Sequence, residues 1–157
     1  MIVIGIDPGI ARVGYGVIEK IDREIRPISY GCIETPSREW TTGHRLHEIY
    51  LQVKTLLTEY APDEIAVEEL FFTKNVTSAI RVAEVRGVIL LAAAEQGVQI
   101  VEYTPNQIKL AVSGSGRAKK DQVQDMVRRL LRLETVPRPD DAADGLAIAL
   151  CHINTLR

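Results

Sequence analysis

The run Ile2-Val3-Ile4-Gly5-Ile6 places five apolar or small residues in a row, and it leads straight into Asp7-Pro8-Gly9. A short continuous apolar run of this kind reads as a strand buried on both faces. Pro8 cannot donate to a sheet ladder and Gly9 frees the backbone, so the strand ends there. Asp7 is thereby fixed at the rim of a central strand. An ionised carboxylate in such a place needs partners or a cation. An Asp-Pro-Gly turn in which Asp7 bonds its own backbone is the local alternative. Taken alone, this segment leaves both open.

Two further strands follow at short intervals, Val13-Gly14-Tyr15-Gly16-Val17-Ile18 and Ile28-Ser29-Tyr30-Gly31-Cys32-Ile33. Short links suit antiparallel neighbours, which predicts a three-stranded meander. Glycines in the second strand mark a place where another backbone can come close. A helix is expected from about His44 to Tyr60, with Leu46, Ile49, Tyr50, Val53, Leu56 and Leu57 on one face. Next comes Glu64-Ile65-Ala66-Val67-Glu68-Glu69, a second apolar strand ending in acid. A strand reached through a helix is normally parallel to its sheet partner. If it lies beside the first strand, Asp7 and Glu68 finish at the same sheet edge, where they could share an ion.

Leu70 to Asn75 reads as an aromatic and basic loop. A helix is expected from about Val76 to Gln96, and its second half is apolar nearly all round, which predicts burial on several sides, part of it against a second copy of the chain. Gln99 to Tyr103 reads as a strand, and Thr104-Pro105 as the cap of a short helix through about Val112. The fold class is therefore α/β: a mixed five-stranded sheet, three strands in an antiparallel meander and the others parallel, flanked by helices and forming one domain over residues 1–157.

The 157 residues carry a net charge of only −2, so composition by itself does not point to nucleic acid. The distribution is uneven, however. Between Ser113 and Arg138 seven basic residues face three acids, in a chain that is acidic overall. A solvated helix face is the plain explanation; a site for a polyanion is the other. Cys32 and Cys151 lie far apart with no paired spacing, which fits a reducing compartment. No run reaches membrane-spanning length, and the apolar start lacks a basic leader, so a cytoplasmic protein is expected.

The last segment, Arg138-Pro139-Asp140-Asp141-Ala142-Ala143-Asp144, reads as a helix start with Asp140 at the N-cap. Asp141 and Asp144 are three apart and share a face. The helix dipole accounts for one or two acids there, but not for a third. Asp7, Glu68, Asp141 and Asp144, brought together, could not all stay ionised without cations. Oxygen-only ligands select hard ions, Mg²⁺ or Mn²⁺. Two such ions about 3.5 to 4 Å apart would suit an in-line phosphoryl displacement. His44 and His47 are expected at the surface, and His152 too far along its helix to join the acids.

Three stretches, Gly5-Ile6-Asp7-Pro8-Gly9, Val67-Glu68-Glu69-Leu70-Phe71-Phe72-Thr73-Lys74-Asn75 and Asp141-Ala142-Ala143-Asp144-Gly145-Leu146-Ala147-Ile148-Ala149, closely resemble the RuvC family of bacterial Holliday-junction resolvases. The resemblance runs in order along nearly the whole chain and implies a ribonuclease-H-like fold. It implies four metal-binding carboxylates at Asp7, Glu68, Asp141 and Asp144, with two Mg²⁺ per site and Mn²⁺ as substitute. Asp140 is an alternative to Asp141 by sequence, and register with the motif favours Asp141. Two functional lysines match Lys109 and Lys120, and a junction-contacting aromatic matches Phe71. Lys74 and Asn75 beside it, and Arg117 and Lys119 in the basic segment, are further candidates for DNA contact. Glu69 stands where the family pattern leads one to expect Gln, so its role stays open. The resemblance further implies a homodimer, a four-way DNA junction as substrate and cooperation with the RuvA–RuvB branch-migration machinery.

Rival assignments are an actin-like or sugar-kinase fold, another ribonuclease-H-like nuclease acting on RNA–DNA hybrid, and a non-catalytic junction-binding module. The first needs two domains of this size, and the last has no use for four acids.

Overall fold

The computed structural model describes residues 1–36, 38–70 and 76–156. Phe71, Lys74 and Asn75 therefore lie outside the described residues. Five strands, β1 (Ile2–Asp7), β2 (Arg12–Ile21), β3 (Glu24–Glu34), β4 (Glu64–Glu68) and β5 (Gln99–Tyr103), form one sheet in the order β3-β2-β1-β4-β5. β1 to β3 are the antiparallel meander, and β4 and β5 join it in parallel on the other side of β1. Helices α1 (Thr42–Tyr60) and α2 (Val76–Gln96) cover one face; α3 (Pro105–Ser113), α4 (Lys120–Leu130) and α5 (Asp140–Thr155) cover the other.

The period of two along the central strands places the site. Ile4 and Ile6 of β1, and Ile65 and Val67 of β4, belong to the core under α1 and α2. Val3 and Ala66 belong to the core under α5. Alternation then turns Gly5, Asp7, Glu64 and Glu68 to the α5 side as well. The parallel register runs Gly5 to Ala66 and Ile6 to Val67, so the next residues in step are Asp7 and Glu68.

α5 is the most enclosed helix, with every residue from Ala142 to Ile153 buried except Asp144. It lies directly on the backbones of β1 and β2. A Cβ on Gly16 would come within 2.6 Å of the Leu146 Cα, and one on Gly145 within 2.5 Å of the Tyr15 carbonyl carbon. Side chains on Gly5 and Gly14 would overlap the Ala149 and Asp141 backbones. The strand glycines thus mark a close backbone approach, as their positions suggested.

Several boundaries differ from expectation. α1 starts at Thr42, because the Thr41 side chain accepts the His44 amide and caps the helix there. Pro139, not Asp140, stands at the N-cap of α5, and Asp140 is the first helical residue, paired with Arg138. α2 buries one face only, through Ala79, Val85, Ile89, Ala92 and Ala93, while Val76, Ile80, Leu90 and Leu91 are exposed. Burial on several sides is thus not met within the single chain. α3 ends at Ser113, where Gly114 adopts a left-handed conformation (φ 74°) and its amide bonds the Leu110 carbonyl. α3 carries the expected cap, with Thr104 Oγ1 accepting the Gln107 amide and Gln107 Oε1 accepting the Thr104 amide. Among the described residues no helix is long and apolar enough to cross a membrane.

Candidate active site

A cavity of about 260 Å³ opens at the ends of β1 and β4, and Asp7, Glu68, Asp144, Lys109 and Lys120 all line it. Each arrives from a different element. Asp7 and Glu68 close their strands, Asp144 stands in the second turn of α5, Lys109 sits on α3 and Lys120 opens α4. Ile108, Val123, Ala147 and Ile148 form the apolar part of the wall, which keeps the local dielectric low and the charges strongly felt.

Asp7 shows the electrostatic tension most clearly. Burial first, then the neighbouring charges of Glu68, Asp144 and Asp141, push its carboxyl up to about 7. Burial and Asp144 raise Glu68, against Lys109 and Lys120. Burial also raises Asp144, although the hydrogen bond from Lys120 pulls the other way. Lys120 Nζ donates to Asp144 Oδ2 at 2.8 Å. Burial works against its ammonium, but that bond and the surrounding carboxylates together raise its pKa.

Asp141 does not line the cavity. It stands in the wall of the adjoining groove, 3.8 Å from the Arg12 guanidinium, yet close enough to act on Asp7. Asp140 lines neither space and pairs with Arg138. Arg117 is exposed on a separate groove with Asn106 and Gln107, and Lys119 is exposed at the N-cap of α4. Glu69 is exposed, its amide bonded to the Tyr103 carbonyl. The basic segment divides in two. Arg128 and Arg129 pair with Asp125 on the solvated face of α4, whereas Lys120 turns into the cavity. His44 and His47 are exposed. His152 is buried away from the acids, Nε2 2.7 Å from Glu64 and Nδ1 2.9 Å from the Tyr103 hydroxyl. Sequence reasoning passed over Arg12. Its signal is position: it opens β2, whose Gly14 pairs with Asp7, so it returns to the same edge.

The donor set tests whether a hard divalent cation suits the site. Every candidate ligand is a carboxylate oxygen, and Asp7 accepts no hydrogen bond from a described residue. Among the described residues no three such groups already close on a common point, Asp144 being held by Lys120. The chemistry fits a hard divalent cation: hard oxygen ligands, surplus negative charge, and an Asp7 carboxyl raised by burial and by the acids around it.

A meander extended by two parallel strands, with acids at the ends of β1 and β4 and another on the helix packed over them, defines a protein of the ribonuclease-H-like class. Comparisons with known proteins place it more closely. The family model described as crossover junction endodeoxyribonuclease RuvC matches residues 3–152, and the chain belongs to the RuvC family. The crossover junction endodeoxyribonuclease RuvC of Alkaliphilus metalliredigens is 52% identical over 155 residues, covering 99% of this chain and 94% of that protein. Its counterpart in Halothermothrix orenii is 51% identical over 157 residues, covering 100% and 94%. Among solved structures, T. thermophilus RuvC in complex with Holliday junction substrate superposes with a TM-score of 0.91 at 40% identity, over 98% of this chain and 93% of that one. The yeast mitochondrial Holliday junction resolvase, at 15% identity and a TM-score of 0.68, shares the fold alone.

Proposed function

We propose that the chain is a structure-selective endodeoxyribonuclease that resolves Holliday junctions by two symmetric nicks, in homologous recombination and DNA repair. The observation that carries this is the cavity itself: three carboxylates and two lysines, delivered by five different elements, in a chain of the RuvC family.

Asp7, Glu68 and Asp144 would hold the metal from within the cavity, and Asp141 from its rim. Two Mg²⁺ ions, or Mn²⁺ in their place, would supply Lewis acidity for the attacking water and the departing 3′-oxygen. Asp7 and Glu68 stand on rigid strand ends, and Asp144 on α5 would complete the set as its bond to Lys120 gives way. Lys120 holds Asp144 through its hydrogen bond, favours the charged carboxylate against burial, and is placed to meet phosphate charge as it builds. Lys109, across the cavity, lowers the cost of keeping Glu68 ionised and offers a second cation to the phosphate. The expected products are a 5′-phosphate beside a 3′-hydroxyl.

The proposal extends to a single nuclease domain over residues 1–157, a homodimer, a cytoplasmic location and cooperation with RuvA–RuvB. Two symmetric cuts require two equivalent sites, which a two-fold dimer presents. The exposed apolar residues Ile80, Leu90 and Leu91 of α2 supply the natural contact. Phe71, Lys74 and Asn75 are proposed to meet the junction, Phe71 by stacking on a splayed base, with Arg117 and Lys119 as outlying phosphate contacts.

The test is a synthetic four-way junction incubated with Mg²⁺ beside a linear duplex of the same sequence. Paired nicks at symmetric positions in the junction, with the duplex left whole, are expected. Equal cutting of both, or of an RNA–DNA hybrid in preference, would overturn the assignment.

A further inference from the structure

Beside the carboxylate cavity lies a second groove, of about 410 Å³, between the turn that links β1 to β2 and the first turns of α2. Asp141 stands in its wall, and its charge reaches Asp7 in the cavity. Arg12 enters the groove from β2 and Arg81 from α2. We infer that this groove is a phosphate subsite, in which Arg12 and Arg81 grip a backbone phosphate of the DNA on the far side of Asp141 from the bond to be cut. The inference rests on the nuclease assignment above.

Both arginines have donors to give. Arg12 lies 3.4 Å from Glu34 and 3.8 Å from Asp141, and its side chain is 55% exposed. These contacts are long beside the roughly 2.7 to 2.9 Å of a charge-assisted bond. Arg81 spends only one nitrogen on its described neighbours: Nη1 donates to Thr42 Oγ1 at 2.8 Å and to Glu84 Oε2 at 3.2 Å. Its Nε and Nη2 bond no described residue. That leaves one edge of a planar fork for two oxygens of an anion. The bonds to Thr42 and Glu84 meanwhile hold the stem, so little side-chain freedom remains to be lost on binding. The first two turns of α2 form that side of the groove through Thr77, Ser78, Arg81 and Val82.

Charge and continuity select the ligand. A DNA strand with one phosphate among the carboxylates carries further phosphates on either side, and it approaches a chain of net charge −2 through four acids. Cations beside that cluster are what lets a polyanion settle there. Arg12 serves twice, since the guanidinium that reaches for phosphate also screens it from Asp141.

The test is junction binding in EDTA across about 50 to 200 mM salt, for the wild type, Arg12→Gln, Arg81→Gln and Arg81→Lys. Each lost phosphate contact lowers the slope of log affinity against log salt by about 1. Each Gln variant should show that drop with a loss of affinity of about 3- to 10-fold. Arg81→Lys should recover the slope but not the full affinity, because an ammonium keeps the charge and loses the fork. If the Gln variants keep the wild-type slope, the arginines are pins for Asp141 and Thr42 and the subsite is overturned. A wild type that binds and nicks junctions while its variants keep the slope sinks this inference alone; a wild type with no junction preference sinks the nuclease assignment and this with it.

Discussion

Lys120 Nζ donates to Asp144 Oδ2 at 2.8 Å, joining the start of α4 to the second turn of α5 across the mouth of the cavity. The bond ties the basic segment to the acidic cluster, two features that lie 24 residues apart in sequence. It brings a cation into direct contact with a group of mutually repelling carboxylates, on which Lys109 and Arg12 also act. On the proposed reading, the same ammonium would be released to phosphate when metal binds Asp144.

Lys120→Ala should therefore slow the chemical step more than it weakens binding. A preorganised charge of this kind contributes about 100-fold or more to rate. Single-turnover cleavage of a four-way junction at saturating Mg²⁺ measures it. An unchanged rate would remove Lys120 from the site.

Asp7→Asn should stabilise the metal-free protein while abolishing cleavage. The folded-state pKa of Asp7, about 7, lies above its ordinary value of 3.8. The folded protein therefore binds the proton more tightly than the unfolded chain does. The metal-free protein should lose stability as pH rises from about 4 to about 7, and level off above that. At pH 8 the Asn variant should gain about 2 kcal/mol, roughly half of what the full shift would give, because the cavity is partly open to solvent. Urea denaturation in EDTA at pH 5 and pH 8 checks the sign: the gap between the two proteins should narrow to less than about half at the lower pH. Mg²⁺ should then raise the Tm of the wild type and not of the variant.

Gly16→Val should disturb the site from a distance. Leu146 Cα lies 2.6 Å from where the first added carbon must sit. α5 must shift, at a cost of about 1 to 3 kcal/mol, and Asp141 and Asp144 move with it. A loss of metal affinity beyond the loss of stability is expected. Mn²⁺ titration of the folded variant measures it.

His152→Leu should do the reverse, costing stability and leaving metal affinity alone. Glu64 and the Tyr103 hydroxyl lose their buried partner, at about 1 to 3 kcal/mol for each group left unsatisfied. The acids that face the cavity are untouched. Thermal unfolding and Mn²⁺ titration together separate the two effects.

Much of this was legible in the sequence, because the strongest signals were local. The strand ending in Asp7, the strand ending in Glu68 and the parallel relation between them follow from apolar runs, a Pro-Gly stop and an intervening helix. The parity that turns Asp7 and Glu68 to one face follows from their place in those runs. What the sequence hid was tertiary. α2 and α5 are both rich in Ala, Leu and Ile, and only the glycines beneath α5 decide which of the two is enclosed. The basic surplus could not be divided between solvent and site until α4 was seen to turn Lys120 inward and Arg128 and Arg129 outward. Arg12 went unnoticed because its partner, Asp141, enters only with the last helix. The placement of Asp141 in the groove rather than the cavity is likewise a matter of how α5 sits over Gly14.

The claim beneath all of these is that Asp7 and Glu68, with the acids of α5, form one pocket for hard dications. Counting Mn²⁺ bound to the junction-loaded protein by electron paramagnetic resonance tests it most directly, with wild type compared against Asp7→Asn and Glu68→Gln. The account predicts two ions per protomer in the wild type, and loss of one or both in each variant. Full occupancy retained in both variants, or no ion bound by the wild type, would contradict it.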